Sequence, residues 1–272
     1  MAHDLVFRKV TSPLEIAIRM FTLFEKVLDE TVWQKPEDLL AVFKSIGEKL
    51  TRKDRLNFTV RNCSERMIRI IKDRIEEIKD TEDWGSEPVT KKSDRQLNED
   101  QTEFISDLKG IIGDVLEEIN YSRDNVTNQA KEHINNNDVI LTFSTSETLM
   151  KFFIEASKTV PFELIVLESA PNFEGHKTAK RLAEEGIKTN LVQDAAVFAI
   201  MSRVDKVMIS AHGIMANGGL VSHTGALMIA YAAKEHKVPV FVVGALYKLT
   251  PLHPIDSLTY NEFYSPDKIF RQ

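Results

Sequence analysis

The sequence predicts an α/β protein in which an N-terminal helical domain precedes a Rossmann-like domain built on a parallel sheet. In the first part of the chain, apolar residues recur at steps of three and four, which is the spacing of an amphipathic helix. In the second part, short apolar runs alternate with helix-length segments, as in βαβ units. A length of 272 residues also suits two domains. We therefore expect a helical domain over 1–124 and an α/β domain over 125–272.

Three apolar stripes predict the helices of the first domain. Proline residues at positions 13 and 36 fit the first turns of two helices. The segment from about 80 to 101 is charged, rich in turn residues and without period, so we expect a mobile loop there. The stripes are Leu39, Phe43, Ile46 and Leu50; Met67, Ile71, Ile75 and Ile78; and Leu108, Ile112, Val115 and Ile119.

Five apolar runs predict the strands of the second domain, at 139–143, 162–168, 187–192, 206–210 and 238–243. Helices are expected between them, at roughly 146–157, 175–186, 195–203 and 224–236. Ligand sites in parallel sheets lie at the carboxyl ends of the strands. We therefore expect one crevice to be surrounded by Ser144, Glu168, Asp194, His212 and Lys248.

A purely structural interpretation of these polar residues stays open at this point. Ser144 and Thr145 are typical caps for the helix that follows them, and Asp194 is a typical cap for the next one. Gly218 and Gly219 are typical of tight turns.

The composition of the chain argues against several classes of protein. The net charge of −6 argues against a dedicated nucleic-acid-binding protein. A single cysteine, Cys63, rules out an internal disulfide and a thiolate metal site. The N-terminus is charged and has no long apolar run, so we expect neither a signal peptide nor a membrane span, and a cytosolic location. Neither a metal nor a cofactor is expected.

Familiar enzyme motifs are absent from the sequence. It has no phosphate-binding G-x-x-x-x-G-K-[ST] motif, no G-x-G-x-x-G after the first strand, no G-x-S-x-G and no H-E-x-x-H. What remains is a glycine-bearing stretch, SAHGIMANGGLVSHTG at 210–225, between a predicted strand and a predicted helix. Such loops often hold phosphate groups.

Three segments carry a resemblance to a known family: ESAPNFEGH, DAAVFAIMSRV and YKLTP. They resemble the regulatory alpha, beta and delta subunits of eukaryotic translation initiation factor 2B, and the beta subunits most of all. The resemblance is strong over about 125–255 and weaker in the helical part. The chain ends at IFRQ, earlier than this family usually does, so the C-terminal part of the fold is expected to be incomplete.

The resemblance implies a non-catalytic regulatory subunit of a complex that exchanges GDP for GTP on initiation factor 2. The implied partners are the alpha, gamma, delta and epsilon subunits, with epsilon as the catalyst, together with initiation factor 2 and especially its alpha subunit. The subunit would help assemble the core and sense phosphorylated factor 2. No direct contact with nucleic acid or membrane is implied. His176 matches a beta-subunit position near a symmetric interface where a small-molecule activator binds.

The wider superfamily contains sugar-phosphate isomerases, and their catalytic positions are changed in this chain. The isomerase cysteine matches Ser144, the aspartate matches His212, and a lysine matches His223. Serine is a poor nucleophile without a paired base, and histidine does not replace a carboxylate. We therefore interpret the pocket as vestigial. Its residues are Ser144, Thr145, Glu168, Asp194, His212, Asn217, Gly218, Gly219, His223 and Lys248.

Two alternatives remain: an isomerase with a rearranged site, and a subunit that keeps the pocket as a sugar-phosphate sensor, which the loop formed by Asn217, Gly218 and Gly219 permits.

A separate expectation concerns a basic series on the helix around residue 70. It lies opposite the apolar stripe that begins at Met67, so it predicts a solvent-facing surface and a candidate contact for phosphorylated factor 2. The series is Arg66, Arg69, Lys72 and Arg74.

Overall fold

The computed structural model describes residues 12–53, 57–80, 94–253, 256 and 259–261. The chain divides into two compact units, Met1–Tyr121 and Ser122–Gln272. The first unit is helical, and the second combines a parallel sheet with helices on both of its faces. The expected fold class, helices followed by an α/β sheet, is confirmed.

The described part of the first unit contains the long helices α1 (Pro13–Glu30), α2 (Pro36–Lys53), α3 (Phe58–Asp80) and α4 (Asp94–Asn128). The three predicted apolar stripes lie on α2, α3 and α4. All stripe residues are buried except Ile46 and Ile78, which are half-buried. Helix α3 packs against α1 and α2. Aromatic rings fill the space between α1 and α2, where the ring centroids of Phe24 and Phe43 are 5.5 Å apart.

The predicted loop at 80–101 is wrong over its last part. Residues 94–101 are helical and form the beginning of α4, while 81–93 lie outside the described residues. The segment contains good helix formers such as Arg95, Gln96 and Leu97, whose propensity continues the helix that follows. The side-chain amide of Gln101 then donates a hydrogen bond to the carbonyl of Trp33 at 2.9 Å.

The basic series on α3 is not one solvated surface, which corrects the expectation above. Arg66 forms a bidentate pair with Glu118 of α4 at 3.1 and 2.5 Å, and Arg74 is paired with Glu77 and with Asp107 of α4. The hydrogen bonds from Arg66 lower the pKa of Glu118. These two arginines therefore join α3 to α4, because their positions adjoin the apolar stripe.

Arg69 and Lys72 are the members of the series that face solvent. The Arg69 side chain is 83% exposed and lies 3.8 Å from Asp73, one turn along the same helix. Lys72 is exposed as well. An exposed pair within one helix contributes little to stability, so these two residues are available for other contacts.

The second unit is organised around a five-stranded parallel sheet. Its strands are β1 (Val139–Phe143), β2 (Glu163–Leu167), β3 (Lys188–Val192), β4 (Lys206–Ser210) and β7 (Val240–Val243). They lie in the order β3-β2-β1-β4-β7. A separate antiparallel pair is formed by β5 (Gly213–Ile214) and β6 (Leu220–Val221). The helices that connect or flank the strands are α5 (Ala130–His133), α6 (Glu147–Ser157), α7 (Glu174–Glu184), α8 (Val197–Ile200) and α9 (Ala226–His236).

Alternate residues of the central strands supply the two cores of this unit. On one face, Ile140 and Leu164 pack with Phe153 of α6 and Leu182 of α7. On the other face, Leu141 and Ile165 lie with Val207 of β4, Val197 of α8 and Ile229 of α9. Burial on both faces explains why these strands are continuous apolar runs.

The strand order reverses direction at the β1–β4 contact, and this positions the candidate site. Chain order runs outward from β1 through β2 to β3 on one side, and from β4 to β7 on the other. In doubly wound sheets, ligands bind beyond the carboxyl ends of the strands at this switch point. The loops that begin at Ser144 and Ala211 flank it in this chain.

In the described part of the chain, no helix has the length and apolar character needed to cross a bilayer.

Candidate functional site

The residue that follows β1, Ser144, is held by three side chains in a strained conformation. Its φ of 60° is left-handed, which costs a residue with a Cβ about 1–2 kcal/mol. Its amide donates to the Ser169 hydroxyl at 2.7 Å, and its carbonyl accepts from the Thr178 hydroxyl at 2.9 Å. Its own hydroxyl donates to Glu174 at 3.1 Å, and the residue is only 3% exposed. Ser144 is therefore a buried junction between β1, the loop after β2, and α7.

The capping role considered for Ser144 and Thr145 belongs to a neighbour. Ser146 is the N-cap of α6, and its hydroxyl accepts a hydrogen bond from the amide of Leu149 at 3.4 Å. Thr145 is exposed. Ser146 has the extended backbone that an N-cap requires, which the left-handed Ser144 lacks.

Asp194 fastens the loop that follows β2. Its two carboxylate oxygens accept hydrogen bonds from the amides of Ser169 at 3.0 Å and Ala170 at 2.8 Å. Ser169 is also left-handed, with φ of 59°. The capping role considered for Asp194 is thus replaced by a bridge between neighbouring strand ends. Non-glycine residues in this conformation cluster at functional sites.

Glu168 and His176 lie on the outer side of this group. The His176 Nε2 is 3.9 Å from a Glu168 oxygen, and the histidine side chain is half exposed. Its ring meets the edge of Phe173 with centroids 5.6 Å apart. Gly175, beside it, packs so closely on β2 that an added Cβ would lie 1.9 Å from the carbonyl oxygen of Leu167. Only glycine fits where α7 begins over the strand end.

The glycine loop lies across the switch point, after β4. The pairing of β5 with β6 closes it, and the Asn217 side chain accepts from the amide of Gly219 at 3.0 Å. Gly218 has φ of 79°, a conformation that glycine adopts without strain. Asn217 and Gly218 are exposed and Gly219 is half-buried. These three residues shape the tip of the loop.

Three basic residues lie near the base of the loop, two of them within it. His212 and His223 approach with their Nε2 atoms 3.2 Å apart. Lys248, in the turn after β7, is only 6% exposed and makes no ion pair with the described residues. Burial lowers the pKa of Lys248. Burial, and then the charge of Lys248, lowers the pKa of His223.

The predicted site residues thus form two groups. Ser144, Glu168, Asp194 and His176 surround the ends of β1 and β2, whereas His212, His223 and Lys248 surround the ends of β4 and β7. The ring of Phe143 at the end of β1 adjoins His223, with centroids 6.2 Å apart. Sequence reasoning overlooked Ser169, Glu174 and Thr178, although the first two belong to the ESAPNFEGH segment that carries the resemblance.

The chemistry available to this site is limited. Among the described residues no three histidine, cysteine, aspartate or glutamate side chains come together as metal ligands. The Ser144 hydroxyl is directed at Glu174 rather than at an imidazole, and it is buried. The proton acceptor of this hydroxyl is therefore a carboxylate, and the hydroxyl is enclosed by the protein. The basic group at the other end suits the binding of an anion more than covalent catalysis.

Comparison with known proteins places the chain in a family. Residues 9–272 match the initiation factor 2 subunit family. The chain is 30% identical to translation initiation factor eIF2B subunit beta of Schizosaccharomyces pombe, over 98% of this chain and 81% of that protein. It is 44% identical to eIF2B subunit beta of Dictyostelium discoideum, over 65% of this chain and 47% of that protein.

Two solved structures from Chaetomium thermophilum share the fold. One is eIF2B beta, with a TM-score of 0.84, 25% identity, and coverage of 95% of this chain and 78% of that one. The other is the tetrameric eIF2B-beta2-delta2 complex, with a TM-score of 0.81, 24% identity, and coverage of 96% and 82%. The family match extends over nearly the whole chain, so the chain belongs to the initiation factor 2 subunit family.

Proposed function

We propose that this chain is a non-catalytic regulatory subunit of the eIF2B complex, which exchanges guanine nucleotide on initiation factor 2 in the cytosol. The observation that carries the proposal is the similarity to the Schizosaccharomyces pombe beta subunit over 98% of the chain. The geometry supports it, because the residue at the isomerase cysteine position, Ser144, is buried and bonded to Glu174. The proposed subunit therefore acts through its surfaces.

Assembly is the first proposed role. A relative's structure contains beta and delta subunits together, and we propose that this chain likewise associates with a delta-type subunit, and through it with the alpha, gamma and epsilon subunits. Exposed apolar side chains on α9 support this role: Leu227 is 67% exposed and Tyr231 is 65% exposed. Large apolar side chains in water are typical of surfaces that bind other proteins.

Affinity purification of the tagged chain from its own cells tests this role. We expect the other eIF2B subunits to co-purify with the wild type and to be lost from a variant with Leu227→Glu and Tyr231→Glu. The control, Val32→Glu, changes an exposed apolar residue of the helical unit and should retain them. Purification of the wild-type chain without any of these subunits would overturn the proposal.

Sensing of phosphorylated factor 2 is the second proposed role, and Arg69 and Lys72 are its candidate contacts. Both are exposed, and neither links α3 to another described helix by an ion pair. A phosphorylated partner surface would be attracted to such positive charge. We expect Arg69→Glu with Lys72→Glu to leave the complex intact in size-exclusion chromatography while weakening inhibition by phosphorylated factor 2.

The matched control is Lys44→Glu with Lys49→Glu, which reverses two exposed charges on α2. A nucleotide-exchange assay with the assembled complex should show normal inhibition in this control. Equal inhibition of the Arg69/Lys72 variant and the wild type would place the sensor elsewhere.

A second candidate function is sugar-phosphate sensing, and one observation favours it. Lys248 is a buried cation without an ion pair to the described residues, and it lies near His223 at the expected ligand crevice. A buried charge is stable only when it is paired or gives up its proton, and a phosphate group would pair it. Thermal unfolding with ribose 1,5-bisphosphate tests this function. The wild type should be stabilised, Lys248→Met should not be, and neither should turn over this compound or methylthioribose 1-phosphate.

A further inference from the structure

Two buried polar groups that lack a partner among the described residues lie near each other at the carboxyl ends of β4 and β7. One is the Nδ1 atom of His223, which is buried and forms no hydrogen bond. The other is the amino group of Lys248, a residue that is only 6% exposed and makes no ion pair with the described residues. The two side chains interact, since burial, and then the charge of Lys248, lowers the pKa of His223. Unsatisfied buried groups are rare in folded proteins, and two neighbouring ones indicate a missing ligand.

The surroundings of these two groups are closely packed and partly apolar. The Lys248 Nζ lies 4.0 Å, and its Cδ 3.4 Å, from the point that a Cβ on Gly244 would occupy, so the side chain passes over the backbone after β7. The ring of Phe143 lies 6.2 Å from that of His223 between centroids, and a Cβ on Gly225 would come within 3.8 Å of the same phenyl ring. A small neutral molecule can enter such a space without the desolvation cost that an ion would have.

Burial also determines the chemistry of the Lys248 amine. It lowers the pKa of Lys248 from its usual 10.5, because the charged form is poorly solvated there. The neutral amine carries the lone pair that attacks an electrophile, and nucleophilic lysines are often activated by such desolvation. Lys206 is buried to a similar extent, but its ammonium group is bound by Asp138 and by the carbonyl of His133. Of these two buried lysines, Lys248 is therefore the one suited to react.

We propose that Lys248 is a carbon dioxide-binding residue, on which CO2 forms a carbamate that His223 stabilises. The nitrogen lone pair forms a bond to the carbon of CO2, one C=O electron pair moves onto oxygen, and the nitrogen loses a proton to solvent. The product is an anion, and its oxygen accepts a hydrogen bond from the Nδ1–H tautomer of His223. Helix α9 begins just after this histidine and has no acidic residue in its first turn, so its amino end also favours negative charge.

This modification does not depend on the sugar-phosphate candidate, because the two ligands use different forms of Lys248. A phosphate group would pair with the ammonium form, whereas CO2 reacts with the neutral amine. The carbamate is itself negative and would repel a phosphate group from the same place. Failure of one ligand to bind therefore leaves the other to be tested separately.

Trapping of the carbamate on the full chain tests the proposal. The chain is incubated with isotopically labelled bicarbonate in equilibrium with CO2, treated with triethyloxonium to convert carbamates into stable esters, and digested for mass spectrometry. We expect Lys248 to carry about tenfold more label than any exposed lysine, because burial favours its neutral amine. The carbamate signal in carbon NMR should disappear in Lys248→Arg and persist in Lys206→Arg.

His223→Phe tests the partner of the carbamate, because it keeps a ring but removes the Nδ1 donor. It should lower the label on Lys248 several-fold. His236→Phe is the matched control, since His236 also has a buried ring nitrogen without a partner but lies at the other end of α9, and it should keep the wild-type label. Label on Lys248 that does not exceed that on exposed lysines overturns the proposal. So does undiminished label in a folded His223→Phe variant, and if that variant fails to fold, the NMR comparison of Lys248→Arg with Lys206→Arg decides.

Discussion

The parallel sheet has a buried lysine at each end of its strands, and the two lysines differ in their ion pairing. We call these ends the amino edge and the carboxyl edge. At the amino edge, Lys206 is 8% exposed and lies 2.7 Å from an Asp138 oxygen, and it also donates to the carbonyl of His133 at 2.8 Å. At the carboxyl edge, Lys248 is 6% exposed and makes no ion pair with the described residues. Two lysines of similar burial therefore have different electrostatic environments.

Other groups extend this difference only in part. Asp205 at the amino edge accepts from the amide of Val139 at 2.8 Å, which closes the beginning of β1. Left-handed residues other than glycine occur at both edges, with Ser144 and Ser169 at the carboxyl edge and Asn137 and Lys237 at the amino edge. The contrast therefore rests on the buried lysines, and we propose that the carboxyl edge, where the lysine has no ion pair among the described residues, is the functional one.

The largest expected effect comes from a substitution at Gly175, where the beginning of α7 packs directly on the backbone of β2 at the carboxyl edge. In Gly175→Ala the new Cβ would lie 1.9 Å from the carbonyl oxygen of Leu167, and neither backbone can move freely. We expect a loss of at least about 4 kcal/mol in the free energy of unfolding, or failure to fold. Urea denaturation measures it.

The matched control is Gly110→Ala in α4, where an added Cβ meets nothing within 4 Å. This change should stabilise the chain by about 0.5–1 kcal/mol, since alanine is the better helix former. Equal stability of the Gly175 variant and the wild type would mean that α7 does not press on β2 as described.

Lys206→Met tests the amino edge. It leaves the Asp138 carboxylate without its cation, although Asp138 still accepts from the amide of Asn135 at 2.7 Å. Removing one partner of a buried pair typically costs about 3 kcal/mol. Lys158→Met, which breaks the pair of an exposed lysine with Glu155, should cost no more than about 0.5 kcal/mol. Similar losses in both variants would remove the distinction between the edges.

The elements of the sheet were predictable from the sequence because both of its faces are buried. Strands β1 and β4 occupy the predicted ranges 139–143 and 206–210. The last strand begins at Val240 rather than at 238, since Pro239 has no amide hydrogen to donate. Helix α9 begins at Ala226 because Gly225, with φ of 105°, precedes it.

The contacts within the site were not predictable, because they depend on loop closure rather than on period. His212 and His223 were both candidate residues, yet their pairing follows from the antiparallel contact of β5 with β6, two strands of two residues each. Such short strands give no periodic signal. Likewise, nothing in the spacing of Arg66 and Arg74 identified their partners on α4.

Lys248→Met should stabilise the chain by about 1 kcal/mol at neutral pH, in contrast to Lys206→Met, because it removes a buried charge that has no ion pair to lose. Burial lowers the pKa of Lys248 from its usual 10.5, so the folded state favours the neutral amine. The wild type therefore gains stability as the pH rises toward 10.5. The advantage of the variant should shrink over the same range, which thermal unfolding at several pH values measures. A variant less stable than the wild type at pH 7 would show that Lys248 has a stabilising partner.

His176→Ala should give the smallest change in stability. The variant tests whether His176, at the carboxyl edge, belongs to an exposed binding surface or to the packing of α7. The histidine is half exposed, its distance of 3.9 Å to Glu168 is long, and its other contact is the partly exposed ring of Phe173. Exposed contacts of this kind contribute at most about 0.5 kcal/mol. Urea denaturation should therefore leave the variant and the wild type nearly equal. Because the fold is unchanged, weaker co-purification of other eIF2B subunits with His176→Ala would identify this position as part of the assembly surface. A stability loss as large as that of Gly175→Ala would instead assign His176 to the packing of α7, and the division between a rigid interior and an available surface at this edge would fail.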